Sequence, residues 1–391
     1  MKESLTDKRF RALVLLLAIF SLFIFCDSPA FADKLADAIA ATPQGTEKGM
    51  IDADAAKGFL GIPGAPDVNL LYGFLWAIWV GWIFSTVGAF GGIMAGVGHI
   101  TIFGLGDYAK SFKQTNATLN KMLTDSIRVS NQWMVGLSAL ISSINYYKMG
   151  RLVLPLGVAL ALGSVTGSIL VPIITAGKIK LSSYIGYFGL CVFVIGAFLF
   201  YETTGKGQSK KKNAKAAAKA FEEAHIKSKN NESIDESEHG VKIIHWSLSK
   251  VTFTFYGVEF NFNPIYPIIG GFFIAALASF LGIGGGFLFV PFLTSIAGLP
   301  MFLVAGTSAL TVLVGMVVSV FSYMVIKGVI VYWPLIGVEL FGIFIGSMIG
   351  PRTSKYIPDI WLKRIFVILA IYVGIRYTSK GFLGHSIVPP F

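Results

Sequence analysis

Residues 281–291 read LGIGGGFLFVP, and residues 87–96 read VGAFGGIMAG. Both stretches lie inside apolar runs that are long enough to enter a lipid bilayer, and both are rich in glycine. Glycine clusters loosen a helix and free backbone groups that lipid cannot satisfy. Such backbone is tolerated at membrane depth only against protein or a polar cavity. Paired interruptions at matching places in two halves of a chain therefore indicate a binding site between the halves.

The composition places the chain in a membrane. It is 54% hydrophobic and 14% charged, with a mean hydropathy of +0.70, whereas soluble domains carry about 25% charged residues. We predict an all-α polytopic membrane protein with eight strong spans, each near the length that a bilayer requires. The predicted spans are 70–90, 131–148, 152–174, 181–201, 265–283, 301–326, 329–350 and 361–379. Two shorter apolar segments, 93–105 and 287–297, are predicted to be re-entrant helices or thin spans.

The N-terminus contains the parts of a signal peptide, which are basic residues, a short apolar run and an Ala-Phe-Ala end at Ala32. We expect cleavage after Ala32; the alternative is an uncleaved anchor, and both place the following segment outside the cytoplasm. The Lys-rich central region indicates the cytoplasmic side by the positive-inside rule, so we expect a multi-pass protein of the cytoplasmic (inner) membrane. The predicted organisation is a signal peptide at 1–32, an external segment at 33–69, a first transmembrane repeat at 70–201, a hydrophilic cytoplasmic linker at 202–264 and a second transmembrane repeat at 265–383.

Two details of this organisation follow from charge and pattern. With residues 33–69 outside and the linker inside, the first half must cross the membrane an odd number of times, although its strong spans number four. One short glycine-linked segment must then cross as well. An odd count makes the two halves inverted repeats, which are common in secondary transporters. Within the linker, residues 251–262 alternate apolar and polar side chains around Tyr256-Gly257, which predicts a small β-hairpin.

The duplication extends beyond the glycine clusters. Gly163, Gly167 and Pro172 match Gly342, Gly346 and Pro351 at one constant offset. Small residues four apart let helix backbones approach closely in a bilayer, so these faces are predicted to pack helix on helix.

Residues 266–380 resemble one repeat of the sulfite exporter TauE/SafE family of membrane permeases. The resemblance is carried by five elements in order: glycines 284–286 followed by Pro291, then residues 305–308 (AGTS), Lys327-Gly328 before 331–333 (VYW), and Pro358 before 362–366 (LKRIF). The first repeat, residues 71–201, is divergent and carries about eleven extra residues around 121–131. The resemblance implies export or uptake of small oxyanions and sulfur-containing organic acids, driven by an ion gradient.

The glycine breaks are also the candidate substrate site. A broken helix presents backbone N–H groups and the positive end of its dipole, which suits an oxyanion in a low-dielectric cavity. Threonine, serine and asparagine nearby add neutral donors, which let an anion leave as well as bind. The competing interpretation is that the glycines only allow tight packing and the hydroxyls bond to their own helices. The candidate substrate-binding residues are Gly91, Gly92, Asn116, Thr118, Gly284, Gly285, Gly286, Thr307 and Ser308.

Two ionisable residues in apolar segments are candidates for coupling to an ion gradient. Glu339 stands inside an apolar run, where an ionised carboxylate is expensive and usually faces a cavity or a partner. Its counterpart at the constant offset is the apolar Leu160, so symmetry does not support a shared role. His99 follows the first glycine break, and histidine is the side chain whose ordinary pKa lies near neutral pH. For each residue the alternative is a hydrogen-bonded structural side chain.

The sequence motifs exclude several functions and leave three open. The sequence contains no HExxH, G-x-S-x-G or GxxxxGK[ST] motif, and no paired cysteines. We therefore expect no enzyme activity, no cofactor and no metal. The formal charge of +11 lies largely between apolar runs, so no nucleic-acid partner is expected. The favoured function is a secondary transporter with a small anionic substrate in the lipid bilayer; a passive anion channel, a membrane subunit of a larger complex and a homo-oligomer remain open.

Overall fold

The computed structural model describes residues 29–175, 185–204, 212–229, 240–281 and 286–389. These parts of the chain are mostly helical. The helices are α1 (Pro29–Ala40), α2 (Leu70–Val87), α3 (Gly91–Gly96), α4 (Leu105–Ser111), α5 (Ala117–Lys148), α6 (Leu154–Thr175), α7 (Ile185–Glu202), α8 (Lys212–Lys229), α9 (Ile265–Leu281), α10 (Gly286–Pro291), α11 (Met301–Phe321), α12 (Trp333–Ser354) and α13 (Asp359–Phe382). Short π-helical turns continue three of them, at Val97–Ile102 after α3, Phe292–Ile296 after α10 and Ser322–Ile326 after α11.

The helices confirm a helical membrane protein. Within the described residues, three helices are long and apolar enough to cross a bilayer, at Leu70–Val87, Met301–Ile326 and Trp333–Ser354. Shorter apolar helices accompany them at Gly91–Ile102, Leu154–Leu170, Gly189–Glu202, Ile265–Ala276 and Gly286–Ile296. The predicted run at 131–148 begins earlier than hydropathy indicates, because α5 continues N-terminally through a polar stretch to Ala117.

The long helices pack in reciprocal pairs. Helix α2 of the first half packs along α12 of the second, and α9 of the second half packs along α6 of the first. Helices α5 and α11 pack together, as do α7 and α13, which end the two halves. Each early helix of one half therefore lies against a late helix of the other.

Glycines set the close approach of two of these pairs. A Cβ at Gly342 would lie 2.5 Å from the carbonyl oxygen of Phe74, and one at Gly346 would overlap the carbonyl oxygen of Ile78. In the matching pair, a Cβ at Gly163 would overlap the carbonyl oxygen of Ile268. Backbones in such contact need glycine on the facing side. The predicted helix-on-helix packing of the small-residue motifs is thereby confirmed.

Two smaller layers lie at opposite ends of the helical bundle. We call the end that carries α1 and residues 41–69 the N-terminal face, where Asn116 at the start of α5 donates from Nδ2 to the Ala38 carbonyl at 2.9 Å. The opposite end, the sheet face, carries α8 and a β-sheet. There the chain after α5 meets the sheet, because the Val241 amide donates to the Gly150 carbonyl at 2.8 Å. Helix α5 thus runs from one face to the other.

The sheet is an addition to the predicted all-α class. Its strands, β1 (Val241–Trp246), β2 (Val251–Phe255) and β3 (Val258–Phe262), pair antiparallel in that order. The predicted hairpin at 251–262 is confirmed, with its two-residue turn at Tyr256 and Gly257, whose φ angles are +49° and +77°. Positive φ at both central residues matches the twist of the flanking strands. Strand β1 has no strong sequence signal, since Ile243 and Ile244 interrupt the alternation of apolar and polar residues.

Candidate functional site

The first glycine cluster turns the chain back on itself. Helix α2 ends at Val87, Gly88 has φ +74° and Phe90 has φ +67° before α3 begins at Gly91. A left-handed conformation at a phenylalanine is strained and is held only where the surroundings fix it. Ser308 of α11 helps to fix it, because its hydroxyl donates to the Gly88 carbonyl at 2.9 Å. This bond satisfies a carbonyl that the end of α2 leaves free.

A cavity of about 470 Å³ lies where the two glycine breaks meet. Gly91 and Gly92 line it from the first half, and Gly286 lines it from the second. Two phenylalanines that flank the breaks also border it, with the rings of Phe90 and Phe287 6.1 Å apart. Gly284 and Gly285, also predicted at the site, lie outside the described residues. The described part of both breaks therefore borders one shared cavity.

Five basic side chains line the same cavity, and among its described lining residues there is no carboxylate. They are Lys110, Lys113, Arg128, Arg376 and Lys380. The lysines at 110 and 113 are exposed to solvent, so the cavity reaches water on the N-terminal face. A cleft lined by one sign of charge between low-dielectric walls concentrates ions of the opposite sign. The cavity is electrostatically suited to an anion.

Hydrogen bonds position the two arginines of the cavity. Arg376 is only 4% exposed, and it donates from Nη2 to the Thr101 hydroxyl at 2.9 Å and from Nη1 to the Val388 carbonyl at 3.4 Å. Arg128 donates to the Tyr323 hydroxyl at 2.8 Å and pairs with Asp125 at 3.1 Å. Because Arg376 is the buried one of the two, its charge is the less screened by water.

The helix that begins at Gly91 adds backbone donors. The first N–H groups of a helix have no partner inside it and carry the positive end of the helix dipole. Residues Gly91–Ile102 form one continuous apolar helical segment, and Gly286–Ile296 form its counterpart. The first segment starts at the cavity with Gly91, so it presents that end to it.

The other predicted substrate residues lie away from the cavity lining. Asn116 caps α5, since its Oδ1 accepts from the Leu119 amide at 3.0 Å, and Thr118 is exposed in the first turn of α5. Thr307 donates to the Leu303 carbonyl at 2.8 Å and accepts from the Val153 amide at 3.2 Å. Asn116, Thr307 and Ser308 thus have structural hydrogen bonds, and a direct role of these residues or of Thr118 in substrate binding stays a prediction.

The two candidate coupling residues meet in the fold. His99 Nε2 lies 2.9 Å from Glu339 Oε2, and His99 Nδ1 lies 2.6 Å from Asn131 Oδ1. The exposed fractions of the histidine and glutamate side chains are 1% and 0%. Asn131 also lines the cavity, so the buried pair lies one side chain behind the cavity wall. The pair joins α12 of the second half to the π-helical turn after α3 in the first.

Sequence reasoning missed Arg376, Lys380 and Asn131. Arg376 and Lys380 lie four residues apart near the end of α13, a spacing that places them on one helix face. This spacing was available in the sequence. However, basic residues near the end of a membrane helix usually extend their charged groups to the polar interface. Their spacing alone therefore does not indicate a cavity.

A second cavity of about 640 Å³ lies beside α2. Trp76, Trp79 and Tyr72 line it, together with Asp67 and, from the chain after α3, Phe103. Aromatic side chains of this kind are typical of the membrane interface. Within the described residues its lining includes no basic side chain, so it is less suited to an anion than the first cavity.

Comparison with known proteins agrees with a transport function. The sequence profile of the family described as Sulfite exporter TauE/SafE matches residues 73–377. A "probable membrane transporter protein" of Methanocaldococcus jannaschii is 33% identical over 132 residues, which are 32% of this chain and 48% of that protein. The chain thus matches about half the length of this curated relative. No solved structure matches the chain.

Proposed function

The chain belongs to the sulfite exporter TauE/SafE family, and on that premise we propose that it is a secondary transporter of small anions. The proposed substrates are sulfite or sulfur-containing organic acids, and the proposed site is the cavity between the two glycine breaks. The single observation that carries this proposal is the meeting of five basic side chains with Gly91, Gly92 and Gly286 around one cavity. The chain is a membrane transporter rather than an enzyme in this account.

Reciprocal packing supports an inverted-repeat architecture. The proposed first repeat comprises α2, the segment Gly91–Ile102, α5, α6 and α7, and the second comprises α9, the segment Gly286–Ile296, α11, α12 and α13. Counting each short segment as a crossing gives both repeats an odd number of crossings, which is what opposite orientations require. The pairing of α2 with α12 and of α9 with α6 is the exchange expected between such repeats.

The N-terminal face and the sheet face can then be assigned to the two sides of the membrane. In this proposal residues 1–32 are a signal peptide, and 33–69 form the external segment on the N-terminal face. The transmembrane repeats span 70–201 and 265–383 and lie in the inner membrane. The linker at 202–264 lies on the sheet face, in the cytoplasm. The cavity is consequently open to the outside, because exposed Lys110 and Lys113 border its mouth.

Alternating access follows from this arrangement. A binding site at the junction of two repeats opens to the other side when one repeat rocks against the other. Phe90 borders the cavity, and its ring centre lies 4.8 Å from that of the buried Phe366. Separation of these rings would open a path toward the cytoplasm. In this proposal the arrangement is the outward-open state of the cycle.

Counterflow in proteoliposomes tests the proposal against a channel. Vesicles loaded with unlabelled sulfite or sulfoacetate are diluted into a trace of the labelled anion. A carrier accumulates label transiently above equilibrium because inward and outward steps share one site, whereas a channel only equilibrates it. Accumulation that disappears in Arg128→Gln and remains in Lys57→Gln supports the proposed site, since Lys57 is an exposed cation of the N-terminal segment. Simple equilibration by the wild type would refute a carrier.

A further inference from the structure

The hydrogen bonds around His99 define where its protons lie. An asparagine Oδ1 can only accept a hydrogen bond, so Nδ1 of His99 carries a proton toward Asn131 at 2.6 Å. The bond between Nε2 and Glu339 Oε2, at 2.9 Å, then contains one further proton. Whether this proton lies on the nitrogen or on the oxygen, the pair has no net charge. Loss of that proton would leave an uncompensated buried carboxylate, which is costly.

The His99–Glu339 pair can bind a second proton, beyond the one in the hydrogen bond between Nε2 and Oε2, at Oε1 of Glu339. Oε1 of Glu339 is buried and has no hydrogen-bond partner among the described residues. A proton from water that binds Oε1 leaves an imidazolium beside a neutral carboxylic acid, and the pair then carries one positive charge. Among the charged groups on the surrounding elements, Arg376 on α13 and Arg128 on α5 line the cavity, and Arg128 is paired with Asp125; α2 presents the uncharged Gly73 and Trp76. The positive charge of Arg376 opposes this second proton unless an anion offsets it.

Each member of the His99–Glu339 pair corresponds to an apolar residue in the other half of the chain. At the offset of the small-residue motifs (342 − 163 = 179), Glu339 corresponds to Leu160; at the offset of Val97 and Pro291 (291 − 97 = 194), His99 corresponds to Leu293. Both leucines are buried. A duplicated scaffold therefore folds with apolar side chains at these positions, and scaffolding alone does not require the polar ones.

We propose that Asn131 links the anion in the cavity to the proton on the His99–Glu339 pair, so that anion and proton bind together and cross the membrane in the same direction. This inference rests on the proposed function, because it places the anion in the cavity that Asn131 lines. An anion there stabilises the positively charged pair, and the protonated pair in return stabilises the anion. Such coupling between two binding sites is reciprocal and typically changes affinity about 5- to 150-fold.

Binding of sulfoacetate to the purified protein in lipid nanodiscs tests the link. Both acidic groups of this probe stay ionised near neutral pH, so any pH dependence belongs to the protein. The wild type should bind sulfoacetate about 5- to 150-fold more tightly at about pH 6 than at about pH 8. In proteoliposomes with a pH-sensitive dye inside, an inward sulfoacetate gradient should acidify the lumen.

Variants at Asn131 separate positioning from general damage to the cavity. Asn131→Leu removes the acceptor for His99 and should bind sulfoacetate with the same affinity at both pH values, without acidification. Asn131→Asp keeps an acceptor and adds a negative charge, so the pair should hold its second proton to higher pH, and the midpoint of the profile should rise. Gln132→Leu is the matched control, since Gln132 also lines the cavity on α5. It should weaken binding equally at both pH values and keep the wild-type ratio.

The results separate a failure of the proposed function from a failure of the proton link. Absence of any anion binding by the wild type counts against the proposed function, whereas binding with equal affinity at both pH values overturns the proton link alone. A wild-type ratio in Asn131→Leu, or its loss in Gln132→Leu, also overturns the link. If Asn131→Leu does not fold, as judged by gel filtration, Asn131→Asp decides, and an unshifted midpoint refutes the role of Asn131.

Discussion

Neutralising Arg376 should weaken anion binding by one to two orders of magnitude. The guanidinium is 4% exposed, and its hydrogen-bond acceptors include the Thr101 hydroxyl and the Val388 carbonyl. A hydrogen bond to a charged group contributes about 1.5–3 kcal/mol. Because each 1.4 kcal/mol is a factor of about ten in affinity, Arg376→Gln should raise the Kd of the anion about 10- to 150-fold. Glutamine retains donors for Thr101, so the loss reports mainly the charge.

The assay is calorimetric titration of sulfoacetate into the protein in nanodiscs, with thermal unfolding as the check on folding. Lys57→Gln removes the same charge from an exposed position of the N-terminal segment and should leave the Kd unchanged. Arg376→Lys should lie between wild type and Arg376→Gln, because lysine retains the charge without the planar fork. A folded Arg376→Gln protein whose Kd stays within about twofold of wild type would refute the assignment of Arg376 to the site.

Three further changes test the packing, the coupling and the linker. Gly346→Ala introduces a Cβ that overlaps the backbone of α2 and should destabilise the protein by about 1–3 kcal/mol in thermal unfolding. The control Gly337→Ala, on the same helix, places its Cβ in open space and should not destabilise the protein. Equal effects of the two variants would contradict the close approach of the helices. Glu339→Gln should abolish sulfoacetate uptake driven by a pH gradient while binding persists, and retained proton-driven uptake would exclude Glu339 from coupling. Phe221→Ala removes the ring that lies 5.2 Å from the buried Arg151 guanidinium, so α8 should become accessible to trypsin, and an unchanged digestion pattern would show that this contact does not hold α8 in place.

The repetitive features of the fold could be predicted because each has a local physical signature. Glycines four apart predicted the helix contacts that Gly163 and Gly346 make, and alternation around Tyr256-Gly257 predicted the hairpin. The effect of Gly346→Ala could not be graded from the sequence. A small-residue motif indicates close packing, but only the structure shows that a Cβ there would meet backbone rather than a side chain that can move.

Polar contacts between residues far apart in the chain could not be predicted from the sequence. His99 and Glu339 are 240 residues apart, and each was considered alone, because only the packing of α3 and its π-helical turn against α12 brings them together. Asn116 shows the opposite difficulty. An asparagine before a helix is a candidate ligand and a candidate cap at once, and in the structure its side chain caps α5.

The length of α5 was underestimated for a related reason. Hydropathy detects the part of a helix in lipid, whereas residues 117–130 carry polar and charged side chains that extend the helix beyond that part. This extension carries Arg128 to the cavity and Asn116 to α1 on the N-terminal face. A search for apolar runs alone therefore misses the section of α5 that borders the cavity.

The position of the bound anion tests the central claim most directly. A cryo-electron microscopy map of the protein in nanodiscs with sulfoacetate should show density between the Gly91-Gly92 turn and Gly286, within hydrogen-bond distance of Arg376. The same density should be absent from a map collected without the anion. Density in the aromatic cavity beside Trp76 and Trp79 instead, with the basic cavity unchanged, would contradict the account.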